Sequence, residues 1–167
     1  TKNIHTYQGQ VKTYTGTITL GATTPSYDLE TEIDQIFPTT HITKDLLQKT
    51  RSSFVGEIDQ KPPIFSAIKK EGKRLYELAR KGETTEIKAR KVTINQFELI
   101  ATELPNIDFK VVCSKGTYIR SLAYDFGLAL DSGAHLSALR RTKIGGFSVD
   151  NSMSIEEFVQ RLASEKI

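Results

Sequence analysis

The 167-residue sequence predicts an α+β fold, a mixed and largely antiparallel sheet flanked by helices. Two observations lead there. Stretches with strand-like alternation outnumber stretches with helical spacing, and the helices follow the strands irregularly instead of alternating with them. One stretch also changes period within itself. Ile107, Phe109, Val111 and Cys113 alternate with Asp108, Lys110, Val112 and Ser114, and apolar residues then fall at 118, 119, 122, 123, 126, 129 and 130. That is a half-buried strand, a break at Lys115-Gly116, and a helix with Thr117 as its expected cap. Arg120 falls in the first turn of this helix, where the dipole favours anions, so a carboxylate or phosphate partner is expected beside it.

The remaining elements follow in chain order. Residues 11–20 read as a strand with Tyr14, Gly16, Ile18 and Leu20 on one face and Thr15, Thr17 and Thr19 on the other. Gly21 ends it, and 22–29 is a polar loop. Ile33 to Phe37 is a short strand cut off by Pro38. Thr43 caps a helix with Ile42 and Leu47 as a staple across its start, Leu46, Leu47 and Phe54 near one face, and Gly56 at its end. Pro62-Pro63 starts an extended, hairpin-like arm through Gly72, followed by a short helix at Leu75, Leu78 and Ala79 that stops at Gly82. Val92 and Ile94 share one alternation and Phe97 and Leu99 the opposite one, which places a bulge near Asn95-Gln96 in a long strand. Asp131 to Ala134 is a loop, and Gly145-Gly146 a turn. Ser154 and Glu157 form a capping box on a last helix, with Met153 and Phe158 as its staple.

Hydrophobic residues at 38% and charged residues at 26% describe a globular chain and exclude a disordered one. No apolar run reaches the length of a membrane span, and no signal-peptide core is present near the start. Cys113 is the only cysteine. On the apolar face of a strand it reads as a small buried hydrophobe, and one cysteine suits a reducing cytoplasm. The net charge is +3, but its distribution is uneven. Between Lys61 and Lys91 ten basic residues stand against four acidic ones, with Phe65 and Tyr76 interleaved. Such a run suits a polyanion or a solvated surface laced with ion pairs.

Three segments, in this order and spacing, carry a family resemblance. They are Lys12-Thr-Tyr14 with its strand to Leu20-Gly21; Pro62-Pro-Ile-Phe-Ser-Ala-Ile-Lys69 continuing through Gly72-Lys-Arg-Leu-Tyr-Glu-Leu-Ala-Arg80; and Cys113-Ser-Lys-Gly-Thr-Tyr-Ile-Arg120 followed by Gly133-Ala-His-Leu-Ser-Ala-Leu-Arg-Arg141. Together they resemble the TruB-type tRNA pseudouridine synthases, which make pseudouridine 55 in the T-loop. The resemblance implies isomerisation of a flipped-out uridine without a cofactor or metal, because the glycosidic bond cannot be reached in a stacked base.

The resemblance also implies roles. Tyr14 would stack on the uracil and help proton removal; without the motif it reads as a strand tyrosine with its ring in the core. Arg120 would pair with an aspartate nucleophile and hold it ionised; otherwise it makes an ordinary surface ion pair. Tyr118 and Leu139 would line the uridine pocket, although Leu139 also fits a core position. The insertion at about 58–88 resembles an arm clamping the tRNA T-arm, with Lys69, Arg74 and Arg80 on phosphates and Tyr76 stacking or anchoring. Lys115, Arg140 and Arg141 are further RNA-binding candidates, the last two with a structural ion pair as the alternative. His135 reads as a hydrogen-bonded loop residue.

One departure stands out. The family's nucleophile lies in a Gly-x-x-Asp-x-x-Ala-x-Gly motif ahead of the Tyr14 segment, and this sequence has none; Asp28 and Asp34 follow Tyr14 without the flanking glycines and alanine. The expectation is therefore the C-terminal portion of a synthase, a partial catalytic domain spanning 1–167 that is inactive alone and exposes a sheet edge and apolar surface. No additional C-terminal RNA-binding domain is expected. The intact protein is expected to be a bacterial, cytoplasmic monomer that needs no guide RNA and no membrane. A non-catalytic RNA-binding module and a purely structural fragment are the competing readings.

Overall fold

The computed structural model describes residues 2–66, 69–70, 73–74 and 87–164. A short helix α1 (Ile4–Gln8) precedes β1 (Lys12–Leu20), the two-residue strands β2 (Ala22–Thr23) and β3 (Gln35–Ile36), and helix α2 (Lys44–Ser53). Next come β4 (Gly56–Gln60), the hairpin strands β5 (Lys69–Lys70) and β6 (Lys73–Arg74), and the long antiparallel pair β7 (Arg90–Glu103) and β8 (Asn106–Cys113). Helix α3 (Ile119–Ala129), β9 (Ala134–Ile144), β10 (Phe147–Ser148), a 3-10 turn (Val149–Asn151) and helix α4 (Ile155–Ser164) complete the order.

Six strands form one sheet in the order β10-β9-β1-β8-β7-β4, and β2–β3 and β5–β6 are separate pairs. Every pairing among the described residues is antiparallel. Helices α2 and α3 cover one face through contacts to β7 and β9. The alternation read from the sequence is the reason: Ile18, Ile107, Phe109, Val111 and Cys113 are all fully buried on that face. Phe97 meets Phe109 at 6.0 Å and Phe126 at 5.6 Å, both edge to face, and Phe126 meets Phe54 in the same way at 5.8 Å. Such pairs add about 0.5–1.5 kcal/mol each beyond the area they bury.

The expected bulge in β7 is present: Ile94 lies opposite Cys113 and Gln96 opposite Val112, so Asn95 has no opposite number. This slip lets Ile94 and Phe97 both face the core. Thr43 caps α2 by accepting from the Leu46 amide, and Ile42 and Leu47 are both buried beside it. The Ser154–Glu157 capping box also forms, with reciprocal bonds of 2.6 and 3.1 Å.

Several details differ from expectation, the strand β2 at the start of the expected 22–29 loop among them. Thr117 does not cap α3. Gly116 at φ +87 turns the chain there, the Thr117 hydroxyl donates to Ser114 O, and the helix starts later with Tyr118 as its cap residue. Helix α2 ends at Ser53, and Gly56, at φ +109, opens β4 instead. Met153 and Phe158 are 42% and 50% exposed, so no buried staple forms across the last helix. The short helix expected at 75–79 lies outside the described residues.

Candidate functional site

Residues directly opposite one another in an antiparallel ladder share a face. Tyr14 lies opposite Val111 on β8 and Arg141 on β9, and Gly16 opposite Phe109 and Leu139. Strand β9 reaches this arrangement by skipping Ser137: Leu136 faces Ile18, and Ala138 faces Thr17. A slip of one residue turns every later side chain to the other face. It is this slip that brings Leu139 and Arg141 to the Tyr14 side and sends Arg140, opposite Thr15, to the far side. Gly16 is required where the strands close up, since a Cβ there would collide with the Ala138 carbonyl and touch the Phe109 ring. Arg141 stands directly opposite Tyr14 in the ladder, close enough for its charge to act on the Tyr14 hydroxyl. Burial raises the Tyr14 pKa and Arg141 opposes that rise, so the phenol keeps its proton at neutral pH.

Arg120 enters the same side from the first turn of α3. Its Nη1 donates to Asp28 Oδ2 at 3.0 Å and to Ser26 O at 3.3 Å, and its Nη2 donates to Phe65 O at 2.7 Å. Asp28 is the acid that the helix dipole argument required. Its other oxygen accepts from Ser26 Oγ at 2.6 Å and from the Glu30 amide at 2.9 Å, so the carboxylate is oriented by its own loop. The loop is fixed in turn. Tyr27, at φ +65, stacks on Tyr124 of α3 at 4.0 Å, and its carbonyl accepts from Leu136 N of β9. Burial pushes the Tyr27 hydroxyl up to about 12 and the neighbouring Asp125 carboxyl up to about 6, Lys61 opposing the latter. Asp28, Leu29, Glu30, Arg120, Leu136 and Leu139 line a cavity of about 380 Å³, open to solvent.

Tyr118 sits at the entry to α3, and the Arg90 guanidinium carbon lies 5.9 Å from its ring centroid. Lys115 follows the end of β8 and lies close enough to Lys12 to depress the Lys12 pKa; burial is the larger cause, and Arg141 adds to it. Lys12 donates to the Gln8 and Gln10 carbonyls, each at 2.6 Å. Three cations thus crowd one end of the face that carries Tyr14.

The ladder puts Tyr14, Leu139 and Arg141 on one side of the sheet and Arg140 on the other; Arg120 shares a cavity with Leu139, Tyr118 stands beside Arg90, and Lys115 lies near Lys12. Lys69 and Arg74 oppose each other in the β5–β6 hairpin, while Tyr76 and Arg80 lie outside the described residues. His135 hydrogen-bonds Ala22 O as expected, but from β9 and not from a loop. Sequence reasoning missed Asp28, Gln60 and Arg90. Asp28 was set aside for lacking the nucleophile motif, and its one local signal is the short Ser26-x-Asp28-x-Glu30 turn. Gln60 had the signal of an amide standing just ahead of Pro62-Pro63, with only Lys61 between.

A bulged antiparallel sheet with two helices on one face, and an arginine–aspartate pair lining an open cavity, belong to a chain that the comparisons place among the pseudouridine synthases, a class of isomerases. The crystal structure of a Cbf5-Nop10-Gar1 complex matches 99% of this chain at a TM-score of 0.70 and 26% identity. A second structure, an H/ACA RNP bound to a substrate RNA containing 2'-deoxyuridine, matches all of it at 0.65 and 22% identity and supports the fold alone. This chain spans 40% of the length of each of those solved chains. It belongs to the TruB family of pseudouridylate synthases: the family's N-terminal domain matches residues 1–119, and the C-terminal domain of tRNA pseudouridylate synthase B matches 120–166. The sheet crosses that boundary, because β1 pairs with both β8 and β9. The tRNA pseudouridine synthase B of Flavobacterium johnsoniae is 65% identical over 162 residues, covering 97% of this chain and 71% of the relative. That of Phocaeicola vulgatus is 51% identical over 167 residues, covering 100% and 71%.

Proposed function

We propose that this chain forms the uridine-binding wall and the arginine-held side of a synthase that converts uridine 55 of the tRNA T-loop to pseudouridine. In that isomerisation the C1′–N1 bond breaks, C1′–C5 forms, C5 loses a proton and N1 gains one. Nothing is consumed, so the reading needs no cofactor. The observation that carries it is Arg120, held beside Asp28 in a cavity whose other wall presents Leu139.

In this reading the flipped base packs against Leu139 and Tyr118, and the Tyr14 ring stacks on it. With its pKa raised, Tyr14 keeps its hydroxyl proton at neutral pH, and its part in proton removal from C5 is to orient the base. Lys115, Arg141 and the arm bearing Lys69, Arg74, Tyr76 and Arg80 meet T-arm phosphates. Asp28 is the anchor of Arg120 and not the attacking group, since its oxygens already accept from Ser26, Glu30 and Arg120. The nucleophile then lies outside these 167 residues, none of which supplies the Gly-x-x-Asp-x-x-Ala-x-Gly motif. The intact enzyme is read as a cytoplasmic monomer acting on tRNA without a guide RNA.

The test is tritium release from uridine-labelled tRNA. The chain alone is expected to bind T-arm RNA and release no tritium. Turnover at the rate of an intact synthase overturns the assignment of the nucleophile, and failure to bind T-arm RNA overturns the whole reading. The missing motif favours a second reading, a module that binds this RNA without ever modifying it.

A further inference from the structure

Gln60 ends β4 and is 1% exposed. A primary amide buried this deeply needs partners for both its carbonyl and its NH2. Gln60 finds both on one residue. Its Oε1 accepts from the Tyr118 amide at 2.8 Å, and its Nε2 donates to the Tyr118 carbonyl at 3.1 Å. That is the exchange a facing strand residue makes with its partner, so the side chain acts as a one-residue extension of the sheet.

The place where it does so matters. Tyr118 is the N-cap position of α3, extended at φ −98 and ψ 112, and its side chain makes no capping bond. Its carbonyl already accepts the first helical bond, from Leu122 N, so the Gln60 amide is what holds this peptide in its plane. The next residue of the chain adds a grip, because the Lys61 carbonyl accepts from Ser121 Oγ at 2.7 Å. Between those two anchors lies Arg120. Across the β4–β7 ladder the residue opposite Gln60 is Arg90, whose guanidinium lies 5.9 Å from the centre of the Tyr118 ring. One member of the pair fixes the Tyr118 backbone and the other stands over its ring.

We propose that Gln60 is a positioning residue: by bonding both backbone polar groups of Tyr118 it sets where α3 begins, and so fixes the Tyr118 ring under Arg90 and the Arg120 guanidinium beside Asp28 at the cavity wall. The importance of those two side chains rests on the function proposed above; their placement by Gln60 does not.

Two variants test it on the full chain. Gln60→Met keeps the volume and loses both bonds. Gln60→Glu keeps the acceptor, but when ionised it sets an oxygen against the Tyr118 carbonyl; when protonated it restores both bonds. Burial raises a carboxyl's pKa, so the protonated form is within reach at about pH 5 and lost at about pH 8. The readouts are hydrogen exchange at the Tyr118 amide, with the Val111 amide as a core reference, and affinity for a T-arm hairpin RNA, each relative to the unmodified protein at the same pH. With Gln60→Met, exchange at Tyr118 should speed up by roughly tenfold or more while Val111 is unchanged, as losing bonds of this strength requires. Gln60→Glu should lose protection and affinity at the higher pH and regain both at the lower. Unchanged Tyr118 protection in Gln60→Met, or equal acceleration at Val111, overturns the proposal whatever the RNA does. If the unmodified chain does not bind the hairpin, the functional reading fails and the exchange result still decides the placement.

Discussion

Arg120 and Asp28 lie 92 residues apart in sequence and 3.0 Å apart in space. Their side chains are 22% and 25% exposed, so the contact is shielded from most of the screening that weakens surface pairs. The same guanidinium also donates to the Ser26 and Phe65 carbonyls. It ties the loop after β2 and the base of the arm to the start of α3.

A double-mutant cycle measures that tie. Arg120→Met and Asp28→Asn should each lower stability, with a coupling of roughly 1 kcal/mol or more between them, as charged hydrogen bonds of this burial give. Urea unfolding of the two single variants and the double variant checks it. Strictly additive losses would show that the pair carries no energy of its own.

Asp125 predicts a pH dependence. Burial raises its carboxyl to about 6, whereas an unfolded aspartate titrates at about 3.9. The folded chain therefore holds this proton more tightly. Its contribution to stability falls as pH rises between those two values, and stays at the lower level above about pH 6. The Lys61 charge already moderates the shift, and the neighbouring Tyr27 and Tyr124 stay protonated across the window. Asp125→Asn should match the unmodified protein near pH 4 and melt roughly 3 °C higher near pH 8, for about 1 kcal/mol after allowing for partial exposure. A pH-independent difference in Tm would contradict it.

Phe97 is fully buried between Phe109 and Phe126. Phe97→Ala should cost about 3–5 kcal/mol, enough to unfold a marginal domain. Ile100, three residues along the same strand and 61% exposed, should tolerate alanine to within about 0.5 kcal/mol. Chemical denaturation of both variants separates the two faces of β7.

Under the proposed function, Lys115 and Arg141 neutralise RNA phosphates. Replacing either with glutamine should reduce the slope of log affinity against log salt by roughly 0.7–0.9. Lys91 provides the control. It is paired with Glu57 at 2.6 Å on the outer β4–β7 ladder, and its replacement should leave the slope unchanged. Equal effects from all three would reduce the cation cluster to general surface charge.

Strands β1 and β8 were legible in the sequence because each keeps one phase throughout, so counting alternate residues separates core from surface. The Thr43 cap, the Ser154–Glu157 capping box and the β7 bulge were legible for a related reason: each is a signal contained within a few neighbouring residues. The three segments that carry the TruB resemblance are likewise linear, and they were enough to identify the family. Strand β9 shows the limit. Read by alternation, Leu136, Ala138 and Arg140 share a face, but the skipped Ser137 turns Leu139 and Arg141 toward Tyr14 instead, and a slip of this kind is set by how two strands dock.

The sequence by itself determined the α+β fold with its largely antiparallel sheet, the sheet's apolar face and the family. Only the tertiary structure decided that Asp28 is the partner of Arg120 and that Gln60 holds Tyr118. The physical reason is that a carboxylate or an amide carries no mark of its partner. Its choice is made by whichever complementary group folding brings within about 3 Å in a place that water cannot serve as well.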